Sequence, residues 1–464
     1  MYFISKKGAM QMRKKIVIIG AGSAMFTQGL VVDLIKKQPG GAKWHLSLVD
    51  IDEKVLDGIV HLVQKMIDAK NADIELSWST DRCDCLPGAD YVVTTIGVGG
   101  RRAWEQDVFI PRKYSINQPV GDTAMPGGIS RAMRMVPAML DITKDVIKYC
   151  PNAYLFNYSN PMTIICRAIR KSLKYPIIGL CIGTAGSEWY IADYMGYDRK
   201  KVTSLAAGVN HCTFIYDFRY EGKDAWPAVR EKLMKEFRES FEGDIGDRFH
   251  GEKANEASFF LGEPFAWSFF LKYGAFPAPG DRHITEFFTE YFPNGKYYGR
   301  VLGHDAYSFE DTIAWGDKIH DEIMKAAYSP EPLGEEFFAH FHGEHEQLMD
   351  IIDSIELDLR KTYYMNVQNN GSIPNLPSWA VVEMPVIATA TGPKPMMLDN
   401  FPDILASFTM RFLSVIEIAV DASLKGDRKL MEEAILAGGY ISDRDAVRSM
   451  VDELLAAQKE YLPW

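Results

Sequence analysis

The chain has 464 residues, of which 47% are hydrophobic and 24% charged, and its formal net charge is −11. These values are typical of a folded globular protein and exclude the disordered and coiled-coil classes, while the length favours two packed parts over one. An acidic balance without a basic stripe also argues against a nucleic-acid partner.

The cysteines and the apolar runs indicate the cellular compartment of such a protein. Six cysteines without a Cys-x-x-Cys pair predict reduced thiols rather than a disulfide framework or a structural zinc site. The apolar run at residues 16–19 is too short to span a membrane, and no targeting signal follows it. We therefore expect a cytoplasmic protein without a membrane partner.

The first 200 residues alternate between strand-like and helix-like segments. The predicted strands cover residues 15–20, 44–50, 74–77, 90–95, 153–156 and 177–181, and the predicted helices cover residues 25–37, 55–69 and 129–149. This alternation predicts an α/β fold with a doubly wound, Rossmann-type parallel sheet, which binds ligands at the carboxyl ends of its strands.

The pattern changes near residue 200. Two strand-like segments, 202–208 and 213–218, precede long helical stretches, and the amide-rich segment 366–385 either lines a polar pocket or forms a hairpin. We predict a Rossmann-like domain at residues 1–200 and an α+β domain for substrate binding and oligomer contacts at residues 201–464. The active cleft would lie between them.

A glycine-rich turn follows the first predicted strand. Gly20, Gly22 and Ser23 stand before a predicted helix, whose N-terminal amides can hold a pyrophosphate. Phe26 occupies the place where the dinucleotide fingerprint usually has a third small residue. Asp50 ends the next strand, where a carboxylate bonds ribose hydroxyls and repels a 2′-phosphate. The turn predicts an NAD site, and the alternative is a helix-capping turn without a ligand.

Two later strand ends carry further polar groups. Gly97 lies in a glycine-rich loop that suits a backbone close to the cofactor, and Arg101 just after it could meet a polar substrate. Asn160, in an Asn-Pro pair, could bridge the nicotinamide and the substrate. The alternatives are a surface arginine and an ordinary turn.

Candidate metal ligands and carboxylates lie in loops. Cys181 closes a predicted strand, and His211 stands between two strand-like segments. A thiolate and an imidazole suit an open site in which substrate oxygens complete the sphere of a metal such as Mn²⁺, although each alone is usually a core residue. Asp122 and Asp281 have glycine neighbours, and they either act in catalysis or cap turns.

These motifs, taken in order, resemble glycoside hydrolase family 4, the NAD- and metal-dependent glycosidases. The similarity runs from about residue 15 almost to the C-terminus. Its specific parts are Gly-Ala-Gly-Ser at 20–23, Gly-Asp-Thr with Pro-Gly-Gly at 121–128, Asn-Tyr-Ser-Asn-Pro-Met at 157–162, Cys181, Gly-Val-Asn-His at 208–211, and the late Asn-Asn-Gly and Val-Val-Glu-Met-Pro segments.

The resemblance implies that Cys181 and His211 hold Mn²⁺, that Asn160 touches the substrate and that Asp122 is an acid. The chemistry departs from the two-carboxylate scheme of most glycosidases. It runs through oxidation at C3 of the sugar, deprotonation at C2, elimination, water addition and re-reduction. We also expect a dimer or a tetramer.

The segment 274–283, followed by Glu286-Phe287, is most similar to the α-galacturonidase branch of this family. That similarity implies an α-galacturonide or a related uronide as substrate, with Asp281 as the C2 base and with Arg282 and His283 binding the sugar. Ile182, which follows the metal cysteine, matches no known branch. The alternatives are therefore an α-galactosidase, an α-glucosidase or a 6-phosphoglycosidase of the same family.

Two readings from other classes remain. The Asn-Pro pair and the Gly-Gly-Arg-Arg loop also resemble lactate and malate dehydrogenases, so the fold is expected to be similar to theirs and a 2-hydroxyacid dehydrogenase is the second candidate. A non-catalytic NAD-binding regulator is the third, and it would need no metal ligands.

Overall fold

Thirteen strands of the described chain form one continuous sheet, which carries the candidate site. The computed structural model describes residues 13–24, 26–237, 262–339 and 346–464. The strands are β1 (Lys14–Ile19), β2 (Trp44–Val49), β3 (Ile74–Ser79), β4 (Tyr91–Thr94), β5 (Tyr154–Asn157), β6 (Ile178–Gly179), β7 (Val202–Val209), β8 (Cys212–Tyr220), β9 (Lys223–Asp224), β10 (Phe276–Ala278), β11 (Lys296–Tyr297), β12 (Arg300–Val301), β13 (Thr362–Gln368), β14 (Val381–Thr389) and β15 (Gly392–Pro395). β11 and β12 form a separate pair.

Helices cover this sheet. They are α1 (Thr27–Lys37), α2 (Glu53–Lys70), α3 (Arg82–Cys85), α4 (Gly100–Arg112), α5 (Met125–Tyr149), α6 (Met162–Leu173), α7 (Gly183–Met195), α8 (Trp226–Phe237), α9 (Pro264–Tyr273), α10 (Asp281–Ile284), α11 (Phe309–Tyr328), α12 (Glu335–Ala339), α13 (Glu346–Leu357), α14 (Asp403–Lys425), α15 (Arg428–Ala437) and α16 (Arg444–Ala457). No helix in the described ranges is long and apolar enough to cross a membrane.

The first six strands are parallel and lie in the order β3-β2-β1-β4-β5-β6. This is the order of a Rossmann sheet, and it confirms the predicted doubly wound fold. The strand order reverses between β1 and β4, where a crevice opens at the carboxyl ends of the strands. The loops after β1, β4, β5 and β6 all meet at this edge.

The sheet continues into the second half of the chain without a gap. β13 pairs antiparallel with β6 through Asn366 and Gly179, and β14, β7, β8 and β10 follow in that order. The expected strands 202–208 and 213–218 form the hairpin of β7 and β8. One buried core extends through both halves. The sheet therefore links the two predicted domains directly.

Local sequence explains these elements. Ile16, Val17 and Ile18 of β1 are almost completely buried, because a central parallel strand has helices on both faces. Asp52 begins α2 by accepting the N–H groups of Lys54 and Val55, a cap worth about 1 kcal/mol.

The C-terminal helices pack on the N-terminal half. α14 lies against α5 and α6. Beyond α16, Gln458 Nε2 donates to the carbonyl of Ala103 and to Asp107 Oδ1, at 2.9 and 3.2 Å. The end of the chain therefore closes over α4, next to the loop that contains Gly97.

Candidate active site

The glycine turn after β1 brings three elements together. Gly20 has φ of +90°, and a Cβ there would lie 2.8 Å from the backbone nitrogen of Ile96 at the end of β4. A Cβ on Gly22 would lie 2.6 Å from Val55 Cγ1, and its N–H donates to Asp50 Oδ2 at 2.7 Å. The predicted cofactor residues Gly20, Gly22 and Asp50 thus form one cradle that excludes side chains.

The next residues of the turn complete this cradle. Ser23 N–H donates to the Gly20 carbonyl at 3.0 Å, so the turn is closed before α1 begins. The ring of Phe26 lies 5.2 Å from that of Tyr158, which follows β5. The aromatic residue at the third fingerprint position therefore packs against the neighbouring loop.

Two arginines of α5 lie next to the loop after β4. A Cβ at Gly97 would lie 3.6 Å from Arg131 Nη2. The Val98 carbonyl accepts from Arg134 Nε at 2.9 Å, and Arg134 forms a fully buried ion pair with Asp107. Arg134 of α5 therefore holds the Gly97 loop at the crevice. The sequence argument missed Arg131 and Arg134, and their signal was two arginines within a largely apolar helix.

A hydrogen-bond chain links α5's N-terminal loop to the hairpin of β7 and β8. Thr123 Oγ1 donates to Asp122 Oδ1 at 2.6 Å and lies 2.7 Å from His211 Nδ1. A hydroxyl has one proton, so Nδ1 of His211 must be the donor to Thr123. The Nε2 atom of His211 is then an unprotonated nitrogen, the form that binds a metal.

His211 is also held in an unusual backbone conformation. It stands in the two-residue turn of the hairpin with φ of +68°, a region that non-glycine residues seldom occupy. Such strain is concentrated at functional sites, because the surrounding structure must enforce it. The residue is 7% exposed, so burial lowers the pKa of its imidazole and favours the neutral ring.

Asn160 lies on the other side of Asp122. Its Nδ2 donates to Asp122 Oδ2 at 3.0 Å, and its backbone carbonyl accepts from Arg131 Nε at 3.1 Å. Its Oδ1 is buried and has no hydrogen-bond partner among the described residues. An orphaned amide oxygen at this edge is a ready acceptor or ligand for a bound group.

Opposing influences act on Asp122. Burial disfavours its charged form, but the positive charges of Arg131 and, when it is protonated, of His211 outweigh burial and lower the pKa of the carboxyl. Because burial keeps His211 neutral, Arg131 is the lasting cation here. Asp122 is therefore ionised in this state, and it must gain a proton before it can serve as an acid.

Cys181 lies two residues after the end of β6. Its Sγ accepts the N–H of Gly183 at 3.4 Å, and a Cβ on Gly183 would lie 2.6 Å from Pro279. The Cys181 loop thus lies against the loop that leads to Asp281. Within the ranges that the structure describes, no three His, Cys, Asp or Glu residues are grouped to hold a metal ion. Cys181 and His211 would be two protein ligands of an open site.

Asp281 is the first residue of α10, and its completely buried side chain faces the N-terminus of α9. Its carboxylate accepts the N–H groups of Phe265 and Ala266, at 2.7 and 2.8 Å, and the hydroxyl of Tyr297 at 2.6 Å. Burial raises the pKa of Asp281 to about 6, and burial together with the Asp281 charge raises that of Glu263 to about 8. Asp281 therefore caps α9, and it is also a stronger base than an ordinary aspartate.

The predicted substrate residues divide into two groups. The His283 ring lies 4.2 Å from the His211 ring, and Arg282 donates to Thr312 Oγ1 at 3.0 Å. Arg282 Nε is buried and lacks a hydrogen-bond partner among the described residues. Arg101, by contrast, is engaged by Asp317 at 2.5 Å. His283 therefore lies next to the proposed metal ligand His211, and Arg282 precedes His283 in the chain. Arg101 instead lies in an ion pair with Asp317.

Glu286 holds the Asp122 loop in place. Its Oε1 accepts the backbone N–H groups of both Val120 and Gly121 at 2.8 Å. Burial raises the pKa of Glu286 to about 8. The sequence argument noted this residue only as part of a motif, because its partners lie more than 160 residues away.

A Rossmann sheet, a glycine cradle with an acidic residue, and a polar cluster at the same edge define the class of dinucleotide-dependent enzymes. Models of the family 4 glycosyl hydrolases and of their C-terminal domain match residues 15–197 and 206–438. The chain belongs to the family 4 glycosyl hydrolases.

Curated relatives span nearly the whole chain. It is 29% identical over 461 residues to an alpha-galactosidase of Rhizobium meliloti (strain 1021), covering 97% of this chain and 89% of the relative. It is 28% identical over 462 residues to an alpha-galacturonidase of Thermoanaerobacterium saccharolyticum, covering 96% of each. Relatives with different sugars are thus about equally similar to this chain.

Solved structures agree on the fold. A 6-phospho-alpha-glucosidase from gut microorganisms, in complex with NAD and Mn²⁺, has a TM-score of 0.80 at 19% identity and covers 97% of this chain and 99% of its own. A lactate dehydrogenase from Eimeria maxima, with NADH and oxamate, has a TM-score of 0.51 at 14% identity, covering 90% and 97%. The expected likeness to dehydrogenases is confirmed.

Proposed function

We propose that this family 4 glycosyl hydrolase uses NAD and a divalent metal such as Mn²⁺ to cleave an α-linked uronide. The observation that carries the proposal is the hydrogen-bond chain from Asp122 through Thr123 to His211, which leaves Nε2 of His211 free for a metal. Asp122 also accepts from Asn160, whose Oδ1 has no hydrogen-bond partner among the described residues. The glycine cradle opens at the same edge of the sheet.

The residues present fit the dinucleotide. Gly20, Gly22 and Ser23 leave room for a pyrophosphate at the start of α1, and Asp50 lies where it can bond the ribose hydroxyls of NAD and repel NADP. Gly97 borders the crevice from the β4 side, and Asn160 would meet the nicotinamide end.

The donor set also fits a borderline metal. A thiolate from Cys181 and a neutral imidazole from His211 would hold it, and sugar oxygens would complete its sphere. When bound, NAD⁺ accepts and returns a hydride at C3 and the metal acidifies the C2 proton as a Lewis acid.

The chain's own carboxylates would move the protons. Asp122 is ionised at the start of the cycle, so it would accept the proton released when the C3 hydroxyl is oxidised and would then donate that proton to the departing oxygen. Asp281 is the proposed C2 base, and its pKa of about 6 brings its basicity closer to a neutral working pH. Phe265 and Tyr297 both donate to Oδ2, whereas Oδ1 accepts only the Ala266 N–H and keeps a lone pair that could take the C2 proton.

Arg282 supports a uronide over a neutral sugar. Its Nε is buried and has no hydrogen-bond partner among the described residues, and the ring of the next residue, His283, lies 4.2 Å from the His211 ring. A sugar carboxylate would satisfy that donor with a charge-assisted hydrogen bond. The same chemistry would accept the phosphate of a 6-phosphosugar, and Arg101 would have to leave Asp317 before it could take part.

A panel of nitrophenyl α- and β-glycosides, uronides and 6-phosphoglycosides, with and without NAD⁺ and Mn²⁺, tests the proposal. We expect hydrolysis of an α-uronide that needs both additions and gives no net NADH. Stoichiometric NADH and an oxidised product would instead identify a dehydrogenase.

We further infer a cytoplasmic homo-oligomer. All six cysteines are free thiols, as a reducing compartment requires. Size-exclusion chromatography with light scattering would decide between a monomer, a dimer and a tetramer.

A further inference from the structure

A row of paired residues crosses four strands between the two candidate metal ligands. Gly179 of β6 pairs with Asn366 of β13, Asn366 pairs with Glu383 of β14, and Glu383 pairs with Gly208 of β7. Paired residues of neighbouring strands point to the same face of a sheet. Glu383 therefore stands in the middle of a row whose ends lead to Cys181 and His211.

Glycine is needed at both ends of this row. A Cβ on Gly179 would lie 2.9 Å from the Cβ of Asn366, and a Cβ on Gly208 would lie 2.3 Å from the carbonyl oxygen of Cys212. Gly179 therefore lets β6 approach the Asn366 side chain on β13. Gly208 instead allows the tight pairing of β7 with Cys212 on β8.

The Glu383 carboxylate is 1% exposed and accepts three side-chain hydrogen bonds. Oε1 accepts from the hydroxyl of Thr184 at 2.5 Å, and Oε2 accepts from the amides of Asn210 and Asn366, at 2.9 and 3.0 Å. These bonds come from three separate segments of the chain. None of the described Lys, Arg or His residues forms an ion pair with it.

Two of these partners belong to the ligand-bearing loops. Thr184 follows Cys181 by three residues, at the start of α7, and Asn210 directly precedes His211 in the hairpin turn. The backbones of β6 and β7 are three strand spacings apart, or about 14 Å. The two ligands must nevertheless be held to within about 0.5 Å of their working positions.

Burying a carboxylate without a cationic partner costs free energy, since neutral hydrogen bonds compensate for only part of the hydration that is lost. Apolar side chains could hold the strands together at a smaller cost in free energy. The Oδ1 atoms of Asn210 and Asn366 are also buried and have no partner within the described part of the chain, because the Nδ2 groups are turned toward Glu383. This arrangement favours precise placement over stability.

We propose that Glu383 is a positioning residue for the divalent metal, fixing the separation of Cys181 and His211 by binding Thr184 and Asn210 at once. The inference rests on the proposed metal site. Outer-shell partners of metal ligands usually change metal affinity by about 10- to 100-fold when they are replaced. Glu383 would act on both ligands through neutral hydrogen bonds, without touching the metal.

The test measures Mn²⁺ binding to the full chain from the electron paramagnetic resonance signal of free Mn²⁺, together with the melting temperature and NAD affinity. Glu383→Gln should raise the Mn²⁺ dissociation constant about 10- to 100-fold and leave NAD affinity unchanged. Thr184→Val removes one hydrogen bond without a change of shape, and this variant should raise the Mn²⁺ dissociation constant about fivefold.

Glu188→Gln is the matched control. Glu188 lies on α7 and accepts from Ser204 on β7, so its replacement loosens the same two elements without touching either ligand loop. Glu188→Gln should lower the melting temperature and leave the Mn²⁺ dissociation constant unchanged. A folded Glu383→Gln protein with wild-type Mn²⁺ affinity would overturn the inference, and if that variant does not fold, wild-type affinity in Thr184→Val overturns it. Undiminished Mn²⁺ binding in Cys181→Ser and His211→Ala would instead refute the metal site itself.

Discussion

Nδ1 of His211 lies 2.7 Å from the hydroxyl oxygen of Thr123, which gives its own proton to Asp122. This contact sets the tautomer of a proposed metal ligand from a residue 88 positions away. Removing the hydroxyl should therefore weaken metal binding without changing either ligand.

Thr123→Val tests that relation. We expect the Mn²⁺ dissociation constant to rise by about tenfold, since His211 then loses the acceptor that orients it. Thr143→Val is the control, because Thr143 is a buried threonine within α5 whose hydroxyl, among the described residues, bonds only the Met139 carbonyl. Equal metal affinity in the two variants would contradict the assigned tautomer.

Gly22→Ala should impair NAD binding. The new methyl group would lie 2.6 Å from Val55 Cγ1 and 2.8 Å from Asp50 Oδ2, so the cradle must open. We expect the NAD dissociation constant, measured by calorimetry, to rise at least about tenfold. Gly186→Ala in α7 meets nothing within 4 Å and should leave binding unchanged. Tight NAD binding by Gly22→Ala would place the dinucleotide elsewhere.

Asp281→Asn distinguishes a role of Asp281 as the C2 base from a role as a helix cap. In deuterated water, both turnover and solvent exchange at C2 should fall by at least about 100-fold, while NAD binding persists. Tyr297→Phe removes one donor and keeps the carboxylate, so it should retain exchange. If Asp281→Asn lowers the melting temperature but keeps exchange and turnover, Asp281 has a structural role alone.

Glu286 should make stability depend on pH. Burial raises its pKa from an ordinary value of 4.5 to about 8, so the folded state holds the proton more tightly than the unfolded state. This stabilisation is complete below about pH 4.5 and is lost as the pH rises through about 8. Glu286→Gln keeps an oxygen for Val120 and Gly121, and its melting temperature should fall less between pH 5 and 8.

The control is Glu335→Gln, since the Glu335 side chain is 88% exposed and should leave the pH profile unchanged. If the difference in melting temperature between wild type and Glu286→Gln stayed constant between pH 5 and 8, the raised pKa of Glu286 would be contradicted. The measurement needs only thermal unfolding in a series of buffers.

Arg282→Gln should discriminate between sugars. The kcat/KM for a nitrophenyl α-galacturonide should fall by about 10- to 100-fold, the value of a charge-assisted hydrogen bond, while any activity on the α-galactoside stays within about twofold. Arg219→Gln, at an exposed arginine paired with Asp217, is the control. Equal losses on both sugars would remove the carboxylate from the proposal.

Much of the N-terminal sheet could be predicted because its strands are short apolar runs buried on both faces. The helix Gly100–Arg112 was missed, since it begins with glycine and two arginines and so looks like a loop. The predicted strand at 177–181 shortens to Ile178–Gly179, because the chain turns away to present Cys181.

The candidate site was predictable residue by residue but not as an arrangement. Motifs named Asp122, Cys181 and His211, whereas their connections depend on strand order far along the chain. Glu383 meets Thr184 across 199 positions and Asn210 across 173, and local patterns contain no information about such contacts.

The continuity of the sheet bears on how the chain can be divided. A fragment ending near residue 200 would expose the edge of β6, normally covered by Asn366, and the faces of α5 and α6 on which α14 packs. An uncovered strand edge beside apolar helices promotes aggregation. The two halves are therefore expected to require each other during folding, and expression of either alone should yield insoluble protein.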